Sequence, residues 1–348
     1  MQYERTAKEA LELGNPLFVD LRSEGEYREA TIPGAVNLPV LKNEERDHVG
    51  KVYVQESTDR AKELAVAYMA PKLPSYYNFL SQASQSREVV LFCARGGMRS
   101  HILFDFLRGL GHKVFYLKGG YKGYRKMVRQ TLPELVAERD FVVLNGLTGV
   151  GKTEILLELK ERGANILDLE GLAHHKGSLL GSIGESAQPS QKMFESLLLD
   201  ELLKLPPGPI FVESESNKIG KLEVPVYLRR RYGSSPHQVL ITAPMEGRVE
   251  RLLKDYTVAE GPEKEERDRE ILEALASLSR HMGKRPAFEL SQWILEGRYE
   301  EVARELMVRY YDKNYAVRKG GYLLQLEHTD TEEVAARLLQ LGEGISKS

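Results

Sequence analysis

The sequence predicts an α/β protein of two successive domains, each built on a parallel sheet, the second extended by helices at its C-terminal end. Short apolar runs alternate with helically spaced segments up to about residue 130, and a second alternation starts at residue 141. After about Glu246 the spacing is helical almost throughout. Runs that are apolar at every position suit strands covered on both faces, which in alternation with helices means parallel pairing.

In the first domain, residues 1–130, the strands are LFVDL (17–21), AVNLPV (35–40), EVVLF (88–92) and KVFYL (113–117). DRAKELAVAYMA (59–70) and RSHILFDFLRGLGH (99–112) have helical spacing, the latter ending at glycine. TLPELVAERD, residues 131–140, reads as a linker helix, and the second domain as 141–348. Its strands are FVVLNG (141–146), NILDLEG (165–171), PIFVESES (209–216), HQVLITA (237–243) and a closing YLLQLEH (322–328). Helical patterns lie at 154–163, 260–281, 289–297, 300–319 and 331–342.

Composition narrows the class. With 42% apolar and 29% charged residues in 348, the chain reads as soluble and globular. Its 49 basic and 51 acidic residues leave a net charge of −2, so any nucleic-acid contact must come from local patches. A single cysteine, Cys93, excludes an internal disulfide and a cysteine-rich metal site, which fits a cytoplasmic location. The first residues have no apolar stretch of signal-peptide length, and no membrane span is expected.

Gly146-Leu-Thr148-Gly149-Val150-Gly151-Lys152-Thr153 matches GxxxxGK[ST] between an apolar strand and an amphipathic helix. Glycines let backbone N–H groups turn inward around phosphate oxygens, and the helix N-terminus adds partial positive charge. Lys152 would reach a terminal phosphate and Thr153 would hold Mg²⁺. An ordinary glycine-rich turn is the alternative, and eight positions in register argue against it. Strand-end carboxylates Asp168, Glu170, Glu213 and Glu215 are candidates for acid or Mg²⁺-linked work, although such groups often merely solvate a loop. His174 and His175 are adjacent and point apart, and no metal site made directly of a side-chain cluster is expected.

Cys93 ends an apolar strand, Gly96 and Gly97 permit a tight curl, and Ser100 opens a helix. That N-terminus, with Arg95 and Arg99 nearby, would lower the thiol pKa and keep a nucleophilic thiolate. The plain alternative is a buried structural cysteine. Asp20-Leu-Arg22, Glu26-Tyr27, Ile32-Pro-Gly-Ala35 and Asn37, with VFYLKGGYKGY, resemble the rhodanese-like sulfurtransferase domain. Arg99 stands six positions after Cys93, a spacing that resembles cysteine phosphatases and suggests room for a phosphate-bearing chalcogen donor.

The order FCARGGMRS, NGLTGVGKT, DLEGLAHHKGSLLG, FVESESNKIG and YYDKNY resembles the tRNA 2-selenouridine synthase family. Asn217 and Lys313 stand where that family suggests an arginine and a proline. The resemblance implies a tRNA with wobble 2-thiouridine, geranylated from geranyl diphosphate, then selenated from selenophosphate. It implies no tightly bound cofactor, Cys93 linked to the selenophosphate step, and a P-loop that cradles either the prenyl diphosphate or a nucleotide. The alternative is a sulfurtransferase or cysteine phosphatase coupled to a nucleotide-binding domain.

Candidate RNA contacts are Arg229, Arg230 and Arg231 beside Tyr227 and Tyr232, and Tyr310, Tyr311, Tyr315, Arg318 and Lys319 near the end. Lys122, Arg125, Lys126 and Arg129 with Tyr121 and Tyr124 form a third group. Each alone reads better as a solvated helix face with buried tyrosines, while the family resemblance implies that at least one touches RNA. Trp293, at helical spacing, reads as core. The oligomeric state and the tRNAs used are left open.

Overall fold

The structure is a computed structural model that describes residues 3–178, 180–257, 261–314 and 320–346. It divides into two compact units, Met1–Leu132 with Pro189–Asp200, and Pro133–Gln188 with Glu201–Ser348.

In the first unit the strands are β1 (Glu4–Arg5), β2 (Pro16–Asp20), β3 (Val36–Asn37), β4 (Glu88–Phe92) and β5 (Val114–Leu117). They pair in the order β1-β5-β4-β2-β3, every pair parallel. Val89, Val90, Leu91 and Phe92 of central β4 are wholly buried, as an uninterrupted apolar run requires. Each such large side chain contributes about 1.5–3 kcal/mol of burial. The strand expected over 35–40 shortens to two residues because Pro39 has no N–H for the ladder. Helices Asn43–Gln55 and Leu73–Ala83 were not evident in the sequence. The segment read as a linker helix is the second half of one helix, Gly120–Glu138.

In the second unit β6 (Phe141–Asn145), β7 (Ile166–Leu167), β8 (Ile210–Glu213), β11 (Gln238–Thr242) and β12 (Leu324–Glu327) form a parallel sheet. Their order is β12-β11-β6-β8-β7, while β9 (Lys218–Ile219) and β10 (Leu222–Glu223) make a separate hairpin. The strand expected over 165–171 ends at Leu167, because Asp168 turns to cap the helix Leu169–Ala173. Helices Met245–Tyr256, Pro262–Met282, Lys284–Leu295 and Tyr299–Leu306 share an apolar core that includes Leu252, Leu275, Leu290 and Leu306. Trp293 packs against its edge, under the Arg298 guanidinium. The helix expected over 300–319 widens into a π turn at Met307–Tyr311, where Met307 and Tyr311 are both buried. Both units place their sites where parallel sheets present them, beyond the carboxyl ends of the strands.

Candidate functional sites

The thiol loop follows β4 directly. Cys93 is 3% exposed, its Sγ 3.4 Å from the Ser100 hydroxyl and 3.9 Å from the Gly97 carbonyl. Burial by itself would push this thiol up. The Ser100 hydroxyl, the backbone N–H groups of Arg95 and Gly97, and the Arg99 charge outweigh burial and hold it below its ordinary value. Arg99 is ion-paired to Glu26 at 3.2 Å, and Arg95 is exposed.

The loop's curl is set from outside it. The N–H groups of Tyr121 and Lys122 donate to the carbonyls of Cys93 (2.8 Å) and Ala94 (3.0 Å). A Cβ on Gly120 would lie 2.2 Å from the Cys93 oxygen and 2.4 Å from the Gly96 nitrogen, so no other residue fits this approach. The Asp-Leu-Arg motif is the scaffold beneath. Buried Asp20 and Arg22 pair at 2.6 Å, Thr31 donates to Asp20 at 2.9 Å, and Asn37 bonds the carbonyls of Asp20 and Arg22.

The second site surrounds the phosphate loop. Gly146, Gly149 and Gly151 all have positive φ, and Lys152 opens the helix Lys152–Glu161 with its Nζ donating to the Gly146 carbonyl at 3.2 Å. Thr148 and Val150 lie buried in the same loop. A cavity of about 370 Å³ is lined by Gly149, Gly151, Lys152 and Thr153, with Arg251, Lys254, Leu157, Leu252 and Tyr256 also in its wall. Two buried groups not among the candidates brace the loop. Arg248 donates from Nε to the Thr148 carbonyl at 2.9 Å and grips Asp312 with both guanidinium nitrogens, at 3.0 and 2.6 Å. His328, at the end of β12 and 1% exposed, donates from Nδ1 to the Val150 carbonyl at 2.6 Å and accepts from Thr331. That tautomer follows from the partners, since a carbonyl can only accept. Arg248 and Asp312 are 64 residues apart, so no local pattern joins them. His328 had one signal, its place just past a parallel strand.

The four strand-end carboxylates separate. Asp168 accepts from the Gly171 N–H at 2.7 Å as a helix cap, with burial holding its carboxyl above the usual range. Glu170, Glu213 and Glu215 instead converge, with one oxygen from each within 4.8 Å of the others. This corrects the expectation that no direct side-chain cluster could take a metal. Glu213 ends β8 and Glu215 follows it two residues on, whereas Glu170 lies just after β7, so the pairing of β7 with β8 brings Glu170 to the other two. The Thr153 hydroxyl is shared between Glu170 (3.1 Å) and Glu213 (3.4 Å). Burial, then the Glu215 charge, pushes Glu170 up to about 8, against the opposing pull of Lys152. Burial raises Glu213 well above the carboxylate range and raises Glu215 as well. Glu215 Oε2 is buried with no hydrogen-bond partner. Three carboxylates, one of them with an orphaned oxygen, and a hydroxyl are the donor set of a hard divalent cation, so the site fits Mg²⁺.

Stability should follow these protons. Carboxyls raised in the folded state contribute stability that is full below the ordinary value of 4.5 and is lost as pH rises through about 8. In chelator, the melting temperature is expected to fall between about pH 5 and about pH 8. Mg²⁺ should restore it only at the higher pH, and Glu213→Gln should flatten the profile. Equal melting temperatures at both pH values in chelator would count against this account.

The RNA candidates fare unevenly. Arg229 bonds Asn217, and Arg231 holds the Arg139 carbonyl (2.9 Å) and Asp140 (3.0 Å), which leaves Arg230 as the exposed member. Tyr232 is buried and donates to the Glu215 carbonyl, and Tyr311 is buried in the helical core. Tyr315, Arg318 and Lys319 lie outside the described residues. His174 bonds Ser186 and His175 is buried with its pKa lowered by burial, so neither makes a metal pair.

Comparison with known proteins accords with this division. Residues 4–127 match the rhodanese-like domain, and residues 139–340 match the tRNA 2-selenouridine synthase AAA domain. The tRNA 2-selenouridine synthase of Pseudomonas syringae pv. syringae (strain B728a) is 31% identical, over 96% of this chain and 97% of that protein. That of Nitrosomonas europaea is 32% identical, over 77% of this chain and 70% of that protein.

Proposed function

The chain belongs to the tRNA 2-selenouridine synthase family, and from that premise we propose that it exchanges sulfur for selenium at wobble 2-thiouridine in two steps on two sites. In the first, the C2 sulfur attacks C1 of geranyl diphosphate, the C–O bond breaks, diphosphate leaves with the electron pair, and the N3 proton of the thiouridine passes to water. In the second, selenium from selenophosphate adds at C2 and geranyl thiol leaves. Water takes the phosphoryl group of the donor as phosphate.

One observation supports the assignment of the first step to the phosphate loop. The cavity wall combines Lys152, Arg251 and Lys254 with Leu157, Leu252 and Tyr256, so it offers cations for a diphosphate and apolar surface for a prenyl chain. Lys152 and the loop N–H groups would hold the leaving diphosphate while positive charge builds on the allylic carbon. A Mg²⁺ ion held by Thr153 and the Glu170–Glu213–Glu215 trio would screen the diphosphate's charge.

The second step is assigned to Cys93. Its lowered pKa and the Arg95 and Gly97 amides suit a thiolate that handles or positions selenophosphate beside an arginine. The tRNA, selenophosphate and geranyl diphosphate are thus substrates, and no tightly bound organic cofactor is invoked.

Incubating the protein with 2-thiouridine RNA, geranyl diphosphate and selenophosphate tests the reading by nucleoside mass spectrometry. The expected products are the S-geranyl nucleoside without selenophosphate and 2-selenouridine with it. An unchanged nucleoside mass in both would overturn the function. The acidic trio beside Thr153 is also what a nucleotide-binding P-loop would carry, so ATP is included as a competitor. Lys152-dependent ATP hydrolysis, with no effect of geranyl diphosphate on it, would favour that second reading.

A further inference from the structure

The proposal that this chain acts on tRNA raises the question of where a polyanion would lie, and the first unit answers it. From Lys118 to Gln130 the sequence has five basic residues and no acidic one, within a chain of net charge −2. The helix Gly120–Glu138 sorts them by face. Tyr121, Tyr124, Arg125, Val128 and Leu132 are buried, and Arg125 is spent internally on Glu195, Ser196 and the Lys192 carbonyl. Lys122, Lys126 and Arg129 are exposed, at the four- and three-residue spacing that lines up one face. None of the three has a side-chain ion pair or hydrogen bond among the described residues.

From Lys122 to Arg129 the stripe rises about 10 Å. Its start is anchored to the thiol loop by the Lys122 N–H bond to the Ala94 carbonyl, and Gly120 admits no side chain between helix and loop. Arg95, exposed in that loop, extends the positive charge to the thiol. By contrast, two of the three arginines at 229–231 are already bonded within the protein.

We infer that Lys122, Lys126 and Arg129 form the track for the tRNA phosphodiester backbone as it enters the Cys93 loop. Unpaired cations in line release counterions when they meet successive phosphates, and a helix tied by its own backbone to the loop fixes where the strand arrives.

The inference rests on the proposed tRNA substrate, and the test separates the two. Affinity for a wobble 2-thiouridine tRNA is measured over a range of salt for the full chain, its Lys122→Gln/Lys126→Gln/Arg129→Gln variant and Arg230→Gln. The triple variant should bind about tenfold more weakly at low salt, and its log affinity against log salt should flatten by about 2 to 3. It should also modify tRNA with a raised KM and an unchanged kcat, a split that a folding defect would not produce. Arg230→Gln should keep the wild-type slope, and the charge-preserving Lys122→Arg/Lys126→Arg/Arg129→Lys should restore it. A wild-type chain that neither binds nor modifies tRNA overturns the functional reading itself. A wild-type chain that modifies tRNA while the triple variant keeps the same slope and KM overturns this inference alone.

Discussion

Lys152→Ala is expected to leave the tRNA as 2-thiouridine, with geranyl transfer down about 10²–10³-fold, the usual cost of removing one preorganised group from developing charge. Lys152 caps the phosphate loop from the first position of its helix and is the loop's own cation. Its side chain's one hydrogen bond among the described residues, to the Gly146 carbonyl at 3.2 Å, is a modest contact, so the variant should fold. Loss of the charge also removes the one group that draws the pKa of both Glu170 and Glu215 downward, so the trio should take up protons more readily. The decisive measurement supplies RNA that already carries the S-geranyl group. If Lys152 serves only the first step, the variant converts that RNA to 2-selenouridine at near wild-type rate. Full geranylation by Lys152→Ala, or failure confined to selenation, would sink the assignment.

Cys93→Ala should stall at the opposite point, accumulating S-geranyl nucleoside and forming no 2-selenouridine. The thiol's own titration gives an independent check. Below its pKa the group is a thiol, and alkylation accelerates as pH rises through that value, which here lies below the ordinary thiol range. Ser100→Ala removes the strongest of the lowering contacts, at 3.4 Å, while the burial that raises the pKa remains. Its alkylation profile should therefore move to higher pH, and selenation should need higher pH in parallel. Normal 2-selenouridine from Cys93→Ala, or coincident alkylation profiles for wild type and Ser100→Ala, would refute the role.

What could be read from the sequence was whatever repeats at short range. The buried strand EVVLF, the loop GLTGVGKT and the turn after Cys93 each state their structure within ten residues, because apolar period, glycine and flanking helix spacing are local signals. What failed was long-range. Glu213 and Glu215 were visible as strand-end acids, yet their meeting with Glu170 depends on β7 pairing with β8. Arg248 and Asp312, across 64 residues, meet only in the folded chain, where Asp312 directly follows the π turn at Met307–Tyr311. Charge alone does not sort the RNA candidates: Arg229 and Arg231 bond within the protein, whereas among the described residues the side chains of Lys122, Lys126 and Arg129 do not. A run of arginines does not announce which of them the fold has already taken.

The His328 bond to the Val150 carbonyl has a consequence for the protein's birth. Every strand of the sheet that carries Cys93 has been synthesised by Leu117, whereas the phosphate loop waits for residue 328 before its brace exists. At ribosomal speeds of roughly 5–20 residues per second, that interval is roughly 10–40 s. For most of it, once Tyr121 and Lys122 have been added, the nascent chain holds every group that sets the thiol loop's curl, while the phosphate loop still lacks its brace. Of the two sites, the one proposed to act second in the reaction is therefore the first to be built.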